Sequence, residues 1–214
     1  MIEPLLVVTA VAAERDAVLA GPEGGSRPTV AVVGVGPAAA AAGTARLLAV
    51  AEAAGHPYQV VISAGIGGGF AGRAEVGAVV LASQSVQADL GAGSADGFLP
   101  LDQLGFGTAI AAADPAVLAE LRDRLPEAVV GEVLTVATVT GTAERAASLA
   151  AAHPAAVAEA MEGYGVACAA AGAGVAFAEL RTISNPVGPR DRAAWRIAEA
   201  LAALTTAAGK ALAG

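Results

Sequence analysis

The sequence predicts an α/β fold, a three-layer α/β/α sandwich around a central, mostly parallel but mixed sheet. Three observations point there. Short apolar runs rich in β-branched residues alternate with longer Ala-rich stretches of helical character. Neighbouring parallel strands need long crossovers, which those helices supply. No internal repeat or linker-like stretch interrupts the 214 residues, so 1–214 reads as one domain.

The elements follow in order. Residues 4–9 (PLLVVT) read as a buried strand, and 12–20 as a helix with Glu14 near its start. Residues 29–35 (TVAVVGV) form a second strand. An Ala-rich helix over 38–54 carries Arg46 and Glu52 on its polar side. The third strand is 58–63 (YQVVIS), with a glycine run after it at 65–69, and the fourth is 77–86. Residues 89–107 hold many Gly, one Pro and two Phe without a clear period. They read as a long loop, and such loops are often functional. A helix at 116–124, an extended stretch at 129–139 and a helix at 142–152 come next. A Met-Glu-Gly turn at 161–163 leads into a helix through 171. A strand at 175–184 (VAFAELRTIS) and a long helix over 191–212 complete the chain.

Composition narrows the function. Net charge is −8 with no Lys/Arg cluster, which argues against a nucleic-acid partner. Mean hydropathy is +0.63, yet the most Ala-rich uncharged run, 165–178, is too short for a span of ~20 apolar residues. A membrane partner is therefore not expected. Nor is a signal peptide, since no basic residue precedes the first apolar run. The single cysteine, Cys168, suits a reducing cytoplasm and reads as a small core residue. His56 and His153 each precede a proline and lack ligand-spaced partners, so no metal and no cofactor are expected.

Polar and glycine signals cluster just past predicted strand ends, where open α/β sheets bind ligands. G-V-G-P at 34–37 half-matches a dinucleotide fingerprint, but the third glycine and the later acid are missing. S-A-G-I-G-G-G-F at 63–70 places Gly65, Ile66, Gly67 and Gly68 where backbone can approach a flat ligand; a tight turn explains it equally well. In Met161-Glu162-Gly163, the carboxylate could accept two hydrogen bonds from a vicinal diol, or simply face a helix N-terminus. Ser184-Asn185-Pro186 is by itself a turn.

Taken in order, these signals resemble the purine nucleoside phosphorylase and nucleosidase superfamily. An acid follows the first strand, G-V-G the second and G-I-G-G-G the third; M-E-G and I-S-N come later. The resemblance runs from Leu5 to about Leu204. The stretch 177–195 (FAELRTISNPVGPRDRAAW), with A-D-L-G at 88–91, is similar to the branch that hydrolyses futalosine.

That resemblance implies roles. Glu14 matches the acid that activates the attacking water, and Glu162 the acid that grips the ribose hydroxyls, with Met161 packing on the sugar. Gly65, Ile66, Gly67 and Gly68 match the loop lining base and sugar, and Ser184 is a further candidate for substrate binding. Val139 and Thr140 fall where nucleosidases carry a base-stacking aromatic. None stands there, so Phe98, Phe106 or Trp195 is left to substitute. Adenine-cleaving relatives carry Asp where Asn185 stands. The Asn amide can donate to a 6-oxo group while its carbonyl accepts from protonated N7, which favours hypoxanthine. G-V-G-P-A-A-A offers no hydroxyl or cation for phosphate, so hydrolysis is expected over phosphorolysis. Arg190, Arg192 or Arg73 could meet an aromatic carboxylate at the substrate's far end. The alternatives are a methylthioadenosine or aminodeoxyfutalosine nucleosidase, a purine nucleoside phosphorylase, or a non-catalytic nucleotide-binding module. The partner is a small-molecule nucleoside, and the superfamily implies a homodimer or larger homo-oligomer.

Overall fold

In the computed structural model, which describes residues 4–21, 28–95 and 97–212, the first apolar run becomes strand β1 (Leu5–Thr9), buried at every position. Side chains alternate across a strand, so complete burial means that both faces are covered. Leu5 and Val7 pack in one cluster with helices α1 (Ala12–Leu19), α3 (Pro115–Arg124) and α6 (Ile197–Leu212). Leu6 and Val8 pack in another with α2 (Pro37–Ala53) and α5 (Gly163–Ala173). Helix α2 meets α5 closely because Gly165 has no side chain; a β-carbon there would run into the carbonyl of Pro37.

Strands β2 (Thr29–Val32) and β3 (Val60–Gly69) flank β1, both parallel to it. Strand β3 also pairs parallel with β10 (Ala176–Pro186), which lies antiparallel to β4 (Val79–Gln87). Strand β4 pairs parallel with β8 (Val129–Thr135), and β8 parallel with β9 (Ala156–Ala160). Strand β9 returns antiparallel to the far end of β3, at Gly68 and Gly69. Strands β3, β10, β4, β8 and β9 thus close a ring within a mixed sheet. Small side chains from it, including Val80, Ala82, Val133, Ala158 and Ile183, pack together. Strand β7 (Ile110–Ala112) adds to β4. Strands β5 (Gly91–Ser94) and β6 (Gly97–Pro100) form a separate hairpin. Helix α4 (Ala143–Ala152) is capped by Thr142, whose hydroxyl accepts from the Arg145 N–H.

Several expectations are corrected. The glycines at 65–69 continue β3 and carry ladder hydrogen bonds to β10 and β9; they are not a loop. The segment at 89–107 contains the β5–β6 hairpin. Strand β8 stops at Thr135, so Val139 and Thr140 lie beyond it. Strand β9 went unread, since AVAEA shares the Ala-rich composition of the helices and tertiary pairing decides it. The last helix starts at Ile197, after a 3-10 turn at Arg192–Ala194, which leaves Trp195 outside both. Cys168 is exposed on α5 rather than in the core. Among the described residues, no helix is long and apolar enough to cross a membrane.

Candidate active site

The ends of β1, β3, β9 and β10 and the start of α5 surround a cleft of about 240 Å³. Its walls include Glu14, Ile66, Gly67, Gly68, Val139, Thr140, Met161, Glu162, Ser184, Asn185 and Trp195. The fold therefore brings together the residues given catalytic or substrate-binding roles from the sequence, Gly65 apart, whereas Phe98, Phe106, Arg73 and Arg192 are not among the walls. Gly65 lies beneath the cleft with a different duty. A β-carbon there would sit 2.5 Å from Glu14 Oε1 and 2.8 Å from Arg181 Nη1, so both groups crowd the space that a side chain would need.

Glu14 is buried, and backbone donors hold both of its oxygens. Oε2 accepts from the N–H groups of Ala10 and Val11 at 3.0 and 3.2 Å, and Oε1 from that of Ile66 at 2.9 Å. These contacts tie the start of α1 to the glycine segment of β3. Glu162 is the N-cap residue of α5 and is also buried. Its Oε1 accepts from the Gly36 N–H at 3.2 Å, and its Oε2 lies 3.2 Å from Arg181 Nη1. The G-V-G-P glycines thus serve a carboxylate. Gly34 and Gly36 hold φ of +99° and +90°, which L side chains rarely adopt, and so turn the chain toward Glu162.

Asn185 reaches the cleft because β10 bulges at Ser184. Ile183 pairs with Gly67 and Asn185 with Gly68, leaving Ser184 extra. Such bulges re-aim side chains. Asn185 Nδ2 donates to the Pro186 carbonyl at 3.0 Å. The Ser184 hydroxyl lies 2.8 Å from Asn185 Oδ1 and 3.2 Å from the Gly67 carbonyl, both of which can accept its proton. The amide orientation is thereby set, with one N–H and one carbonyl lone pair left for a ligand.

Three charged groups near the cleft were not singled out. Glu159 lines the cleft and accepts from the Thr140 N–H at 2.8 Å and its hydroxyl at 2.5 Å. Burial pushes the Glu159 carboxyl above the usual carboxylate range, against the lowering effect of the Thr140 bonds. Arg181 is almost wholly buried; its Nε donates to Glu179 Oε1 at 2.9 Å and its Nη2 to Ser63 Oγ at 3.0 Å. Burial likewise pushes the Glu179 carboxyl up, opposed by the Arg181 charge. Glu179 and Arg181 stand two apart in a strand and so share a face. That spacing within an apolar run was the available signal.

Other candidates lie elsewhere. Phe98 lines a separate cleft with Gln87, Arg145 and His153, and Phe106 is 80% exposed. The Arg73 guanidinium is bound to the carbonyls of Ala150, His153 and Ala156. Arg190 lines the same cleft as Glu14 and Glu162, its guanidinium 5.6 Å from the Trp195 ring centre.

Residues 8–213 match the phosphorylase superfamily. The chain is 57% identical over 221 residues to a futalosine hydrolase of Streptomyces coelicolor, covering 96% of this chain and 94% of the relative. The chain belongs to the futalosine hydrolase family. A second member, from Acidothermus cellulolyticus, is 49% identical over 92% of this chain and 85% of its own length. The fold matches that of a 5′-methylthioadenosine/S-adenosylhomocysteine nucleosidase of Neisseria meningitidis solved with methylthio-immucillin-A, with a TM-score of 0.80. The match covers 97% of each chain at 20% identity. The family is thus named for hydrolysis, and its fold in this chain is a mixed α/β one.

Proposed function

We propose that this chain hydrolyses the N-glycosidic bond of futalosine, releasing hypoxanthine and dehypoxanthine futalosine for menaquinone biosynthesis. The observation that carries the reading is the convergence of Glu14, Glu162 and Asn185 on one cleft, with the Asn185 amide oriented by Ser184. The family relatives are named for this activity.

The chemistry follows from the groups present. The bond to the base lengthens first and leaves an oxocarbenium-like sugar. The departing base takes a proton at N7 from solvent; Asn185 accepts from that N–H and donates to O6, so stabilisation is aimed at charge developing on the base. Glu14 takes a proton from water attacking C1′, as a general base. Glu162 holds the ribose hydroxyls in register, with Met161 against the sugar. Ile66, Gly67, Gly68, Val139, Thr140, Ser184 and Trp195 line the remaining walls. Trp195 is the aromatic that faces this cleft, so it takes the stacking role that Val139 and Thr140 cannot.

Hydrolysis is favoured over phosphorolysis because the Gly36 N–H is already bound to Glu162, and Arg181 is engaged by Glu162, Glu179 and Ser63. Of the three arginines considered for the substrate carboxylate, Arg190 is the one on this cleft. The same reading holds that the protein is a single domain over 1–214 and a three-layer sandwich, with α2 and α5 on one side of the sheet and α1, α3 and α6 on the other. It needs no cofactor, works in the cytoplasm and forms a homodimer or larger homo-oligomer.

Chromatography of free base tests this. Wild-type protein is incubated with futalosine, inosine, aminodeoxyfutalosine and methylthioadenosine, without and with phosphate. Hypoxanthine from futalosine without phosphate is expected, with turnover about 10²–10⁴-fold lower in Glu14→Gln. Adenine release from aminodeoxyfutalosine or methylthioadenosine, or a phosphate requirement, overturns the reading.

A further inference from the structure

Glu179 stands outside the cleft, yet the structure invests it heavily. It is 1% exposed and is the fourth residue of β10. The Ser85 hydroxyl of β4 is in close contact with its Oε2, and Arg181 Nε donates to its Oε1 at 2.9 Å. The start of α5 is shaped around it, because a side chain at Gly163 would run into the Glu179 carboxylate. The glycine of the M-E-G triplet is thus a seat for Glu179, while its neighbour Glu162 faces the cleft.

We infer that Glu179 is a positioning residue for the hydrolysis proposed above, acting through Arg181 to hold the carboxylate of Glu162 in place and a positive charge near that of Glu14. A guanidinium is planar, so binding its Nε edge fixes where its other nitrogens point. Glu179 and Ser63 take Nε and Nη2. Nη1 is then directed at Glu162 Oε2, 3.2 Å away, and lies with Glu14 Oε1 against Gly65. A buried cation must be paired. Without Glu179, Arg181 turns its unsatisfied Nε toward the remaining acids, so that the Glu162 carboxylate shifts with it and the positive charge near Glu14 is misplaced. Glu179 itself touches neither the attacking water nor the ribose.

The test uses the full chain and futalosine, with kcat and KM measured separately. Glu179→Ala is expected to lower kcat about 100-fold, the scale of an ångström misplacement, with KM within about threefold of wild type. Glu179→Gln is expected to recover at least about tenfold of that loss, since its amide oxygen can still accept from Arg181 Nε. If Glu179→Ala does not fold cooperatively, Ser85→Ala takes its place. It leaves the carboxylate but frees its far oxygen, and a drop in kcat of about tenfold is expected. Wild-type kcat in a folded Glu179→Ala or Ser85→Ala variant overturns the inference, as does a loss confined to KM. Glu14→Gln run alongside separates the two readings. An inactive Glu14→Gln beside unaffected 179 and 85 variants sinks this inference alone, whereas an active Glu14→Gln sinks the assignment of the site.

Discussion

Replacing Gly65 by Ala tests the general-base assignment without touching Glu14 itself. The backbone at Gly65 is ordinary strand, so the substitution brings no conformational penalty beyond space. The new β-carbon would lie 2.5 Å from Glu14 Oε1, where ordinary contact begins near 3.4 Å. Arg181 Nη1, at 2.8 Å, blocks one way out. Glu14 is also pinned by the N–H groups of Ala10 and Val11, so it cannot swing away freely. The carboxylate must therefore move by about 0.9 Å, the difference between those contacts. A misplacement of about 1 Å costs on the order of 100-fold in rate, or about 2.7 kcal/mol of transition-state stabilisation. The assay is hypoxanthine release from futalosine under saturating and limiting substrate, beside a thermal melt to establish folding. Loss is expected in kcat, with a folded protein and a KM near wild type. A folded Gly65→Ala variant with kcat within about threefold of wild type would refute the reasoning.

Three further outcomes are expected. Asn185→Asp removes the amide donor to the 6-oxo group and sets an oxygen against the Pro186 carbonyl now met by Nδ2. At ~1–3 kcal/mol for an unpaired group, kcat/KM for futalosine falls roughly 5–150-fold; an unchanged ratio of futalosine to aminodeoxyfutalosine cleavage would dismiss the Asn185 assignment. Arg190→Ala raises KM for futalosine about tenfold or more but leaves inosine cleavage, if present, unchanged, because only the former carries a carboxylate; equal effects on both substrates count against a carboxylate contact. Glu159 holds its proton more tightly folded than unfolded, since burial raises its carboxyl. Its contribution is full below the unfolded value of about 4.3 and is lost as pH rises through the folded one. Urea midpoints of wild type should therefore fall more steeply than those of Glu159→Gln above that pH, and parallel curves would show that Glu159 is not the cause.

Much of the order of elements, and most of the polar residues that line the cleft, could be read in the sequence, because both rest on local pattern. Apolar β-branched runs marked β1, β2, β4 and β10, and the acid, glycine and Asn signals stood at strand ends where such folds place ligands. Composition failed where one residue type serves two states. AVAEA at 156–160 is a strand only because β8 and β3 offer partners on either side, and the glycines at 65–69 are strand because β10 and β9 pair with them. Closure of the ring was equally out of reach, since it depends on pairing between segments far apart in the chain. The tertiary structure alone decided what Glu14, Glu162 and Glu179 share. They lie 17 to 165 positions apart in sequence, but Glu162 and Glu179 both pair with one buried guanidinium, Arg181, and Glu14 lies with it against Gly65. The physical reason is that a buried charge is tolerated only where the packed fold brings its partners together, and no window of sequence contains that meeting.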